Sequence, residues 1–178
     1  FLKAATHIVT VSEFCKKDIE NYFPFTKNKI GVVYNAASDY FKPLTDNEIL
    51  INRNKYSNGK PYFLFIGAIT PRKNLANLIK AYNIYRKNAN QNYPLIIVGG
   101  QMHKDKDLDN ELKNTEYKSD IYLLGNVSNK DIAQIVGSAF ALVFPSQFEG
   151  FGIPIVEAMK AGIPVITSNI SSMPEIAG

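Results

Sequence analysis

The stretch Glu149-Gly150-Phe151-Gly152-Ile153-Pro154-Ile155-Val156-Glu157 sets two carboxylates eight positions apart across a glycine turn and a helix start. Gly150 and Gly152 let backbone amides approach a ligand closely, Pro154 fits the first position of a helix, and Ile155, Val156, Ala158 and Met159 make that helix apolar. Glu157 is expected in its first turn. Just upstream, Phe140-Ala141-Leu142-Val143-Phe144 is a short apolar run that reads as a buried strand, ended by Pro145-Ser146. The unit is therefore strand, loop, helix N-terminus. In an open parallel sheet ligands bind where strand carboxyl ends meet helix N-termini, and the positive end of the helix dipole favours phosphate there. The stretch suits a phosphorylated sugar.

The same unit recurs along the chain. Tyr62-Phe63-Leu64-Phe65-Ile66 reads as a buried strand running into a loop at Gly67, and Leu75, Leu78, Ile79 and Tyr82 then recur at helical spacing. Arg72 and Lys73 lie in that loop, where cations can neutralise a diphosphate and the charge that grows on a leaving group. Taken alone the pair reads as a solvated helix start; joined to the glutamate stretch, it reads as a binding loop. Pro94 to Val98, Ile121 to Leu124, Phe140 to Phe144 and Pro164 to Thr167 supply further strands, with helical stretches near Leu108 to Leu112, Asp131 to Val136 and Pro154 to Ala161. Ile8 to Val11 and Ile30 to Tyr34 read as strands around a helix that Ser12 caps and that runs through Ile19 and Tyr22, and Asp46 to Tyr56 as another helix. Alternation of this kind predicts an α/β fold, a Rossmann-like parallel sheet with helices on both faces.

Glu-Gly-Phe-Gly with a second Glu after seven intervening residues is similar to the hallmark of retaining nucleotide-sugar glycosyltransferases of the two-Rossmann-domain (GT-B) type, glycosyltransferase family four. Gly67-Ala68-Ile69-Thr70-Pro71-Arg72-Lys73-Asn74-Leu75 resembles the diphosphate-binding loop of that family, notably of its mannosyltransferase-like members. Ile8-Val9-Thr10-Val11-Ser12-Glu13, Val33-Tyr34-Asn35, Leu124-Gly125-Asn126-Val127 and Met173-Pro174-Glu175-Ile176 fall in the family's order. Many members carry a basic residue directly after the loop glycine; Ala68 stands there, which leaves the cationic task to Arg72 and Lys73.

The resemblance implies a division of the chain: residues 1–42 as the closing segment of an acceptor-side domain, 43–60 as a linker, and 61–178 as a nucleotide-sugar donor-binding domain incomplete at its C-terminus. It implies Glu149, Arg72 and Lys73 as the catalytic set. Donor contacts would come from Gly67, Arg72, Lys73, Val127, Glu149, Gly150, Phe151, Gly152 and Glu157. Glu149 would meet hydroxyls of the transferred sugar. Glu157 would accept from both ribose hydroxyls, which a carboxylate can do, and the Val127 backbone would touch the base. The reaction implied is sugar transfer, with mannose a candidate, from a GDP- or UDP-sugar to a hydroxyl with retention, in polysaccharide or glycan assembly. The donor is a substrate, and no cofactor and no metal are implied. A glycan or lipid-linked acceptor would sit on the absent domain, with peripheral membrane contact by the full-length protein at the inner face of the membrane and otherwise a cytoplasmic setting. The other readings are a non-catalytic nucleotide-sugar binding module and a sugar-nucleotide epimerase.

Composition is compatible and uninformative by itself. The chain has 178 residues, 46% hydrophobic and 20% charged, with net charge +4 and an isoelectric point near 9.0. A mild lysine excess is ordinary surface solvation, and no long basic run suggests nucleic acid. A single cysteine, Cys15, excludes a disulfide framework and a zinc cluster and reads as an inert thiol. No apolar run reaches the roughly 18 residues of a membrane helix. Asp107-Leu108-Asp109 resembles an Asp-x-Asp metal motif, but it lies in a charge-alternating stretch beginning at Lys104 and reads as a solvated helix start. His7 and His103 are isolated, with no cysteine or histidine at ligand spacing, and read as structural or exposed.

Overall fold

The structure, a computed structural model, describes residues 1–100 and 105–178. Strand β1 (Ile8–Thr10) and strand β2 (Ile30–Val32) form a two-stranded parallel sheet, joined by helix α1 (Glu13–Tyr22). Ser12 caps α1 as expected, its side chain accepting from the Cys15 amide. The strand expected to reach Tyr34 ends at Val32; the Val33 amide makes one more bond, to the Thr10 carbonyl, before the chain turns away.

Helix α2 (Asp46–Ser57) fills most of the segment expected to join the two parts of the chain. A capping box between Thr45 and Glu48 starts it. Its sequence has little apolar periodicity, so polar contacts dock it. Asn52 Nδ2 donates to Gln134 Oε1 at 2.9 Å, Arg53 Nε to the Ser138 carbonyl at 2.9 Å, and the Tyr56 hydroxyl to Asp131 Oδ1 at 3.1 Å.

The second sheet holds β3 (Phe63–Ile66), β4 (Leu95–Val98), β5 (Ile121–Gly125), β6 (Ala141–Phe144) and β7 (Val165–Thr167), all parallel, in the spatial order β5-β4-β3-β6-β7. Strands apolar at every position must be covered on both faces. Leu64, Ile66, Ile96, Val98, Leu142 and Phe144 pack on one side against α5 (Asn129–Gly137), α6 (Ile153–Lys160) and the short α7 (Met173–Ala177). Phe65, Leu95 and Ile97 point the other way, against α3 (Leu75–Asn88) and α4 (Lys106–Asn114). Each fully buried Leu, Ile or Phe contributes about 1.5–3 kcal/mol of burial free energy. This is the Rossmann-like sheet with two helical layers that the strand and helix alternation predicts.

Strand order decides where a site can form. The chain runs outward from β3 to β5, then returns to β6 on the other side of β3. The loops after β3 and β6 therefore leave in opposite directions and open a crevice at the carboxyl ends of the strands. Three details differ from the sequence reading. Helix α6 begins at Ile153, so Pro154 takes its second position, and Glu157 falls in the second turn. Met173–Ala177, which carries no strong periodicity, is helical.

Close backbone approach fixes the β3 and β4 loop ends. Gly67 and Gly99 have φ of 147° and 140°, and a Cβ on Gly99 would stand 2.0 Å from the Gly67 carbonyl oxygen. Gly99→Ala is expected to cost about 3 kcal/mol or more in urea denaturation, whereas Gly31→Ala, whose Cβ would meet nothing within 4 Å, changes stability by under about 1 kcal/mol. Equal midpoints for the two variants would contradict this account.

Candidate functional site

The loop after β3 is shaped before it meets any partner. The Gly67 amide donates to the Val98 carbonyl at 3.0 Å and the Ile69 amide to the Gly100 carbonyl at 2.9 Å, so the loop stays level with the end of β4. Pro71–Lys73 then forms a single 3-10 turn, and Asn74, at φ 62°, redirects the chain into α3. The loop after β6 is laced to it. Gln147 donates its amide to the Arg72 carbonyl at 2.9 Å, Asn74 Nδ2 donates to the Pro145 carbonyl at 3.1 Å, and the Arg72 guanidinium donates to the Phe148 carbonyl.

At the centre is a three-membered charge cluster. Lys73 Nζ lies 2.7 Å, and Arg72 Nη1 2.9 Å, from the same Glu149 carboxylate oxygen. Lys73 and Glu149 are each only 8% exposed, while Arg72 reaches solvent. Lys73 Nζ also sits 4.5 Å from the centre of the Phe144 ring, which offers its electron-rich face to the cation. Burial pushes the Glu149 carboxyl up, but Lys73, the neighbouring Ser146 hydroxyl and Arg72 more than offset it, and the net pKa is lowered. Glu149 is therefore ionised at neutral pH. The stability it contributes is present above the ordinary carboxylate range and is lost as pH falls through its depressed value.

The glutamate loop is held by hydroxyls from both sides. Ser171 Oγ accepts from the Glu149 amide at 3.1 Å, and Ser172 Oγ donates to the carbonyls of Glu149 and Phe151 at 2.8 and 3.1 Å. Ser12 Oγ donates to the Gly150 carbonyl at 2.7 Å, with Cys15 Sγ at 3.2 Å from the same oxygen. Cys15 thus takes part in the loop's packing. Gly152, at φ 95°, is the residue whose left-handed backbone starts α6; Gly150 needs no such conformation. The Phe151 ring is buried, 6.0 Å from the Tyr34 ring.

Two cavities share Ile66 and Ile132 in their walls. The larger, about 460 Å³, is lined by Gly67, Ala68, Gly99, Gly100, Asn126 and Val127. Gly67 links it to the charges, since a Cβ there would lie 3.4 Å from Lys73 Cε. The smaller, about 190 Å³, takes Ser38, Tyr40 and Asn129 with Glu157. Glu157 is half-buried, and burial raises its pKa. Gly67 and Val127 thus line the larger cavity and Glu157 the smaller, with Ile66 and Ile132 as their common wall, and Lys73 comes against the larger one at Gly67.

Other sequence candidates fall elsewhere. Asp107 and Asp109 are exposed and flank buried Leu108 in the first turn of α4, which Asp105 caps. No group of three or more His, Cys, Asp or Glu residues stands at metal-holding geometry among the described residues. His7 is exposed; His103 and Lys104 lie outside the described residues. Sequence reasoning missed the hydroxyls of Ser171 and Ser172 and the carboxylate of Glu175, which reaches α1. No local pattern announces them, because their partners are distant in the chain.

A doubly wound α/β domain with paired cations and two glutamates at its topological switch point is the class these features define. The chain belongs to the family glycosyl transferases group 1, which matches residues 46–178. It is 35% identical over 178 residues to an O-antigen chain mannosyltransferase B of Escherichia coli, covering 99% of this chain and 47% of that protein. It is 33% identical over 177 residues to the O-antigen chain mannosyltransferase RfbU of Salmonella typhimurium, covering 98% and 45%. The chain thus spans about half the length of these relatives. The fold matches that of the Anabaena protein HepE, crystallised with UDP and glucose, at a TM-score of 0.79 and 20% identity, over 96% of this chain and 46% of that one. Among the described residues no helix is long and apolar enough to cross a membrane.

The raised pKa of Glu157 has a testable sign. The folded carboxyl holds its proton to higher pH than the unfolded one, so stability falls as pH rises from the ordinary value of about 4.3 through the raised value. Glu157→Gln is expected to raise the Tm of the ligand-free chain at pH 7 and to do so much less at pH 4, measured by scanning calorimetry. A lower Tm at pH 7 would mean that the carboxylate has a favourable partner.

Proposed function

We propose that this chain is the donor-binding part of a retaining glycosyltransferase that moves a sugar, mannose in the first instance, from a nucleoside diphosphate sugar to a hydroxyl acceptor during surface polysaccharide assembly. The observation that carries the reading is the convergence of Arg72, Lys73 and Glu149 at the switch point, together with two cavities that share a wall, one lined by Gly67 and Val127 and the other by Glu157. Anions bind where cations and a helix N-terminus already point. A diphosphate takes Arg72 and Lys73 as partners, which loosens their hold on Glu149 and lets its carboxylate face the sugar hydroxyls. Glu157 accepts from the ribose diol, and the backbone at Val127 meets the base. Family membership and two relatives named as mannosyltransferases support the sugar; GDP-mannose is therefore the first donor to test. The UDP of the Anabaena protein keeps UDP-sugars in the panel.

In the proposed reaction the acceptor oxygen bonds to the anomeric carbon on the face from which the diphosphate departs. The bond from that carbon to the diphosphate oxygen breaks, its electron pair stays on the diphosphate, and the acceptor proton passes to a diphosphate oxygen. Arg72 and Lys73 stabilise the charge that develops there, a task that cationic side chains can perform without a metal. Glu149 stabilises positive character at the anomeric carbon. The acceptor, a glycan or a lipid-linked one, approaches from a second domain, which the reading sets at the inner face of the membrane.

Calorimetry with GDP, GDP-mannose and UDP-glucose tests the reading directly. Arg72→Ala, at a half-exposed position, is expected to weaken GDP binding about tenfold or more, the loss of a hydrogen bond to a charged group being worth about 1.5–3 kcal/mol. Unchanged affinity in this variant would remove the diphosphate assignment. In the intact enzyme Glu149→Gln is expected to lower kcat by about a hundredfold while the GDP Kd stays within about threefold, because its partner is the reacting sugar. Full turnover by that variant would reject the role, EDTA-abolished and manganese-restored turnover would point to the Asp107-Asp109 pair, and a product sugar still attached to nucleotide would indicate an epimerase.

A further inference from the structure

The Glu175 carboxylate performs no task in the reaction proposed above, yet both of its oxygens are engaged. Glu175 Oε1 accepts from the Glu13 amide at 2.8 Å and Oε2 from the Phe14 amide at 3.0 Å. These are the first two amides of α1, which a helix leaves without internal partners. Ser12 Oγ takes the third, that of Cys15, at 3.1 Å. A carboxylate at this end is also favoured by the helix dipole. Burial pushes the Glu175 carboxyl up, but the two amides, the Tyr34 hydroxyl and Lys17 outweigh it and the net pKa is lowered. Its hydrogen bond with the Tyr34 phenol, then burial and the carboxylate's charge, raise that phenol above its ordinary value in turn.

What Glu175 holds leads straight to the glutamate loop. Ser12, fixed as the cap of α1, gives its own hydrogen to the Gly150 carbonyl. Ser171 and Ser172, at the start of the helix that carries Glu175, bond the Glu149 amide and the Glu149 and Phe151 carbonyls. Two aromatic contacts close the sides, Phe14 with Phe148 at 5.6 Å and Tyr34 with Phe151 at 6.0 Å. The Glu149–Gly152 backbone is thus gripped between α1, which belongs to the segment before residue 43, and α7. The Glu175 carboxylate joins the two jaws.

We propose that Glu175 is a positioning residue: by tying the N-terminus of α1 to α7, it sets the backbone of residues 149–152 and so the direction in which the Glu149 carboxylate faces the donor sugar. The proposal rests on the donor-site reading above. It makes the acceptor-side segment a working part of the donor site, since half of the grip on the loop comes from Ser12, Phe14, Cys15 and Tyr34. A loosened grip leaves the diphosphate cations and Glu157 where they are and lets Glu149 wander.

The test compares Glu175→Ala and Glu175→Gln with Thr45→Ala, which removes a helix cap of similar strength on α2, away from the glutamate loop. Hydrogen exchange is expected to quicken about tenfold in peptides spanning residues 12–16 and 149–152 of Glu175→Ala, and to stay at the wild-type rate there in Thr45→Ala. In the intact enzyme with GDP-mannose, Glu175→Ala is expected to lower kcat about tenfold with the GDP Kd within about twofold, and Glu175→Gln, which keeps one acceptor oxygen, to recover part of the rate. Wild-type exchange at 149–152 in Glu175→Ala would overturn the proposal. So would an equal loss of kcat in Thr45→Ala, or a fall in GDP affinity matching the fall in rate. If wild-type protein turned over neither GDP-mannose nor UDP-glucose, the donor-site reading would fail on its own, and the exchange comparison would still decide whether Glu175 holds the loop.

Discussion

The buried contact between Lys73 and Glu149 is the constraint on which the rest of the site depends. Two loops that leave a switch point in opposite directions have no reason of their own to face one another. The shared carboxylate gives them one, and the bonds donated by the Gln147 amide and the Asn74 side chain then fix their register. An ion pair of this kind adds little net stability, since desolvating both partners cancels most of the attraction. Its value lies in specificity. Lys73 has one orientation that satisfies Glu149 and the Phe144 ring together, so the loops close in one arrangement and the half-exposed Arg72 completes it from outside.

How much of this could be read from the chain follows from the range of each interaction. The sheet was legible because Phe63 to Ile66, Leu95 to Val98 and Ala141 to Phe144 are apolar throughout, a pattern that only doubly covered strands sustain. The placing of Arg72, Lys73 and Glu149 at one end of that sheet was legible through glycine-bearing turns next to strands. Their mutual pairing was not, because nothing in either loop encodes the other's position. Helix α7 escaped notice for a related reason: a five-residue helix starting at Met173 and Pro174 has no room for periodicity, and tertiary packing of Met173 and Ile176 decides it. The setting of Glu157 in the second turn of α6 was missed by one position, the ordinary uncertainty at a helix start.

The contrast between the two glutamates follows from surroundings rather than residue type. Glu149 sits among cations and is held ionised; Glu157 shares a cavity wall with Ile66 and Ile132, has no ion-pair partner among the described residues, and gives up its proton late. A group kept charged by its neighbours is suited to steady electrostatic work, and a desolvated one gains most when a ligand brings it hydrogen-bond donors. Sequence spacing places both carboxylates after the same strand, and only packing tells them apart.

The strand order also bears on how the molecule comes to be assembled. The central strand pairs on one side with a neighbour that follows it closely in the chain, Phe63 against Leu95, and on the other with one that arrives much later, Phe63 against Ala141. Closing the longer loop loses more chain entropy before any pairing rewards it, so non-local parallel pairs are slow steps. The charge cluster lies at the end of that late pair. A nascent or partly folded chain can thus complete the β3-β4-β5 half of the sheet while its cations remain solvated and unmatched. The cluster is therefore complete only once the last strands have docked.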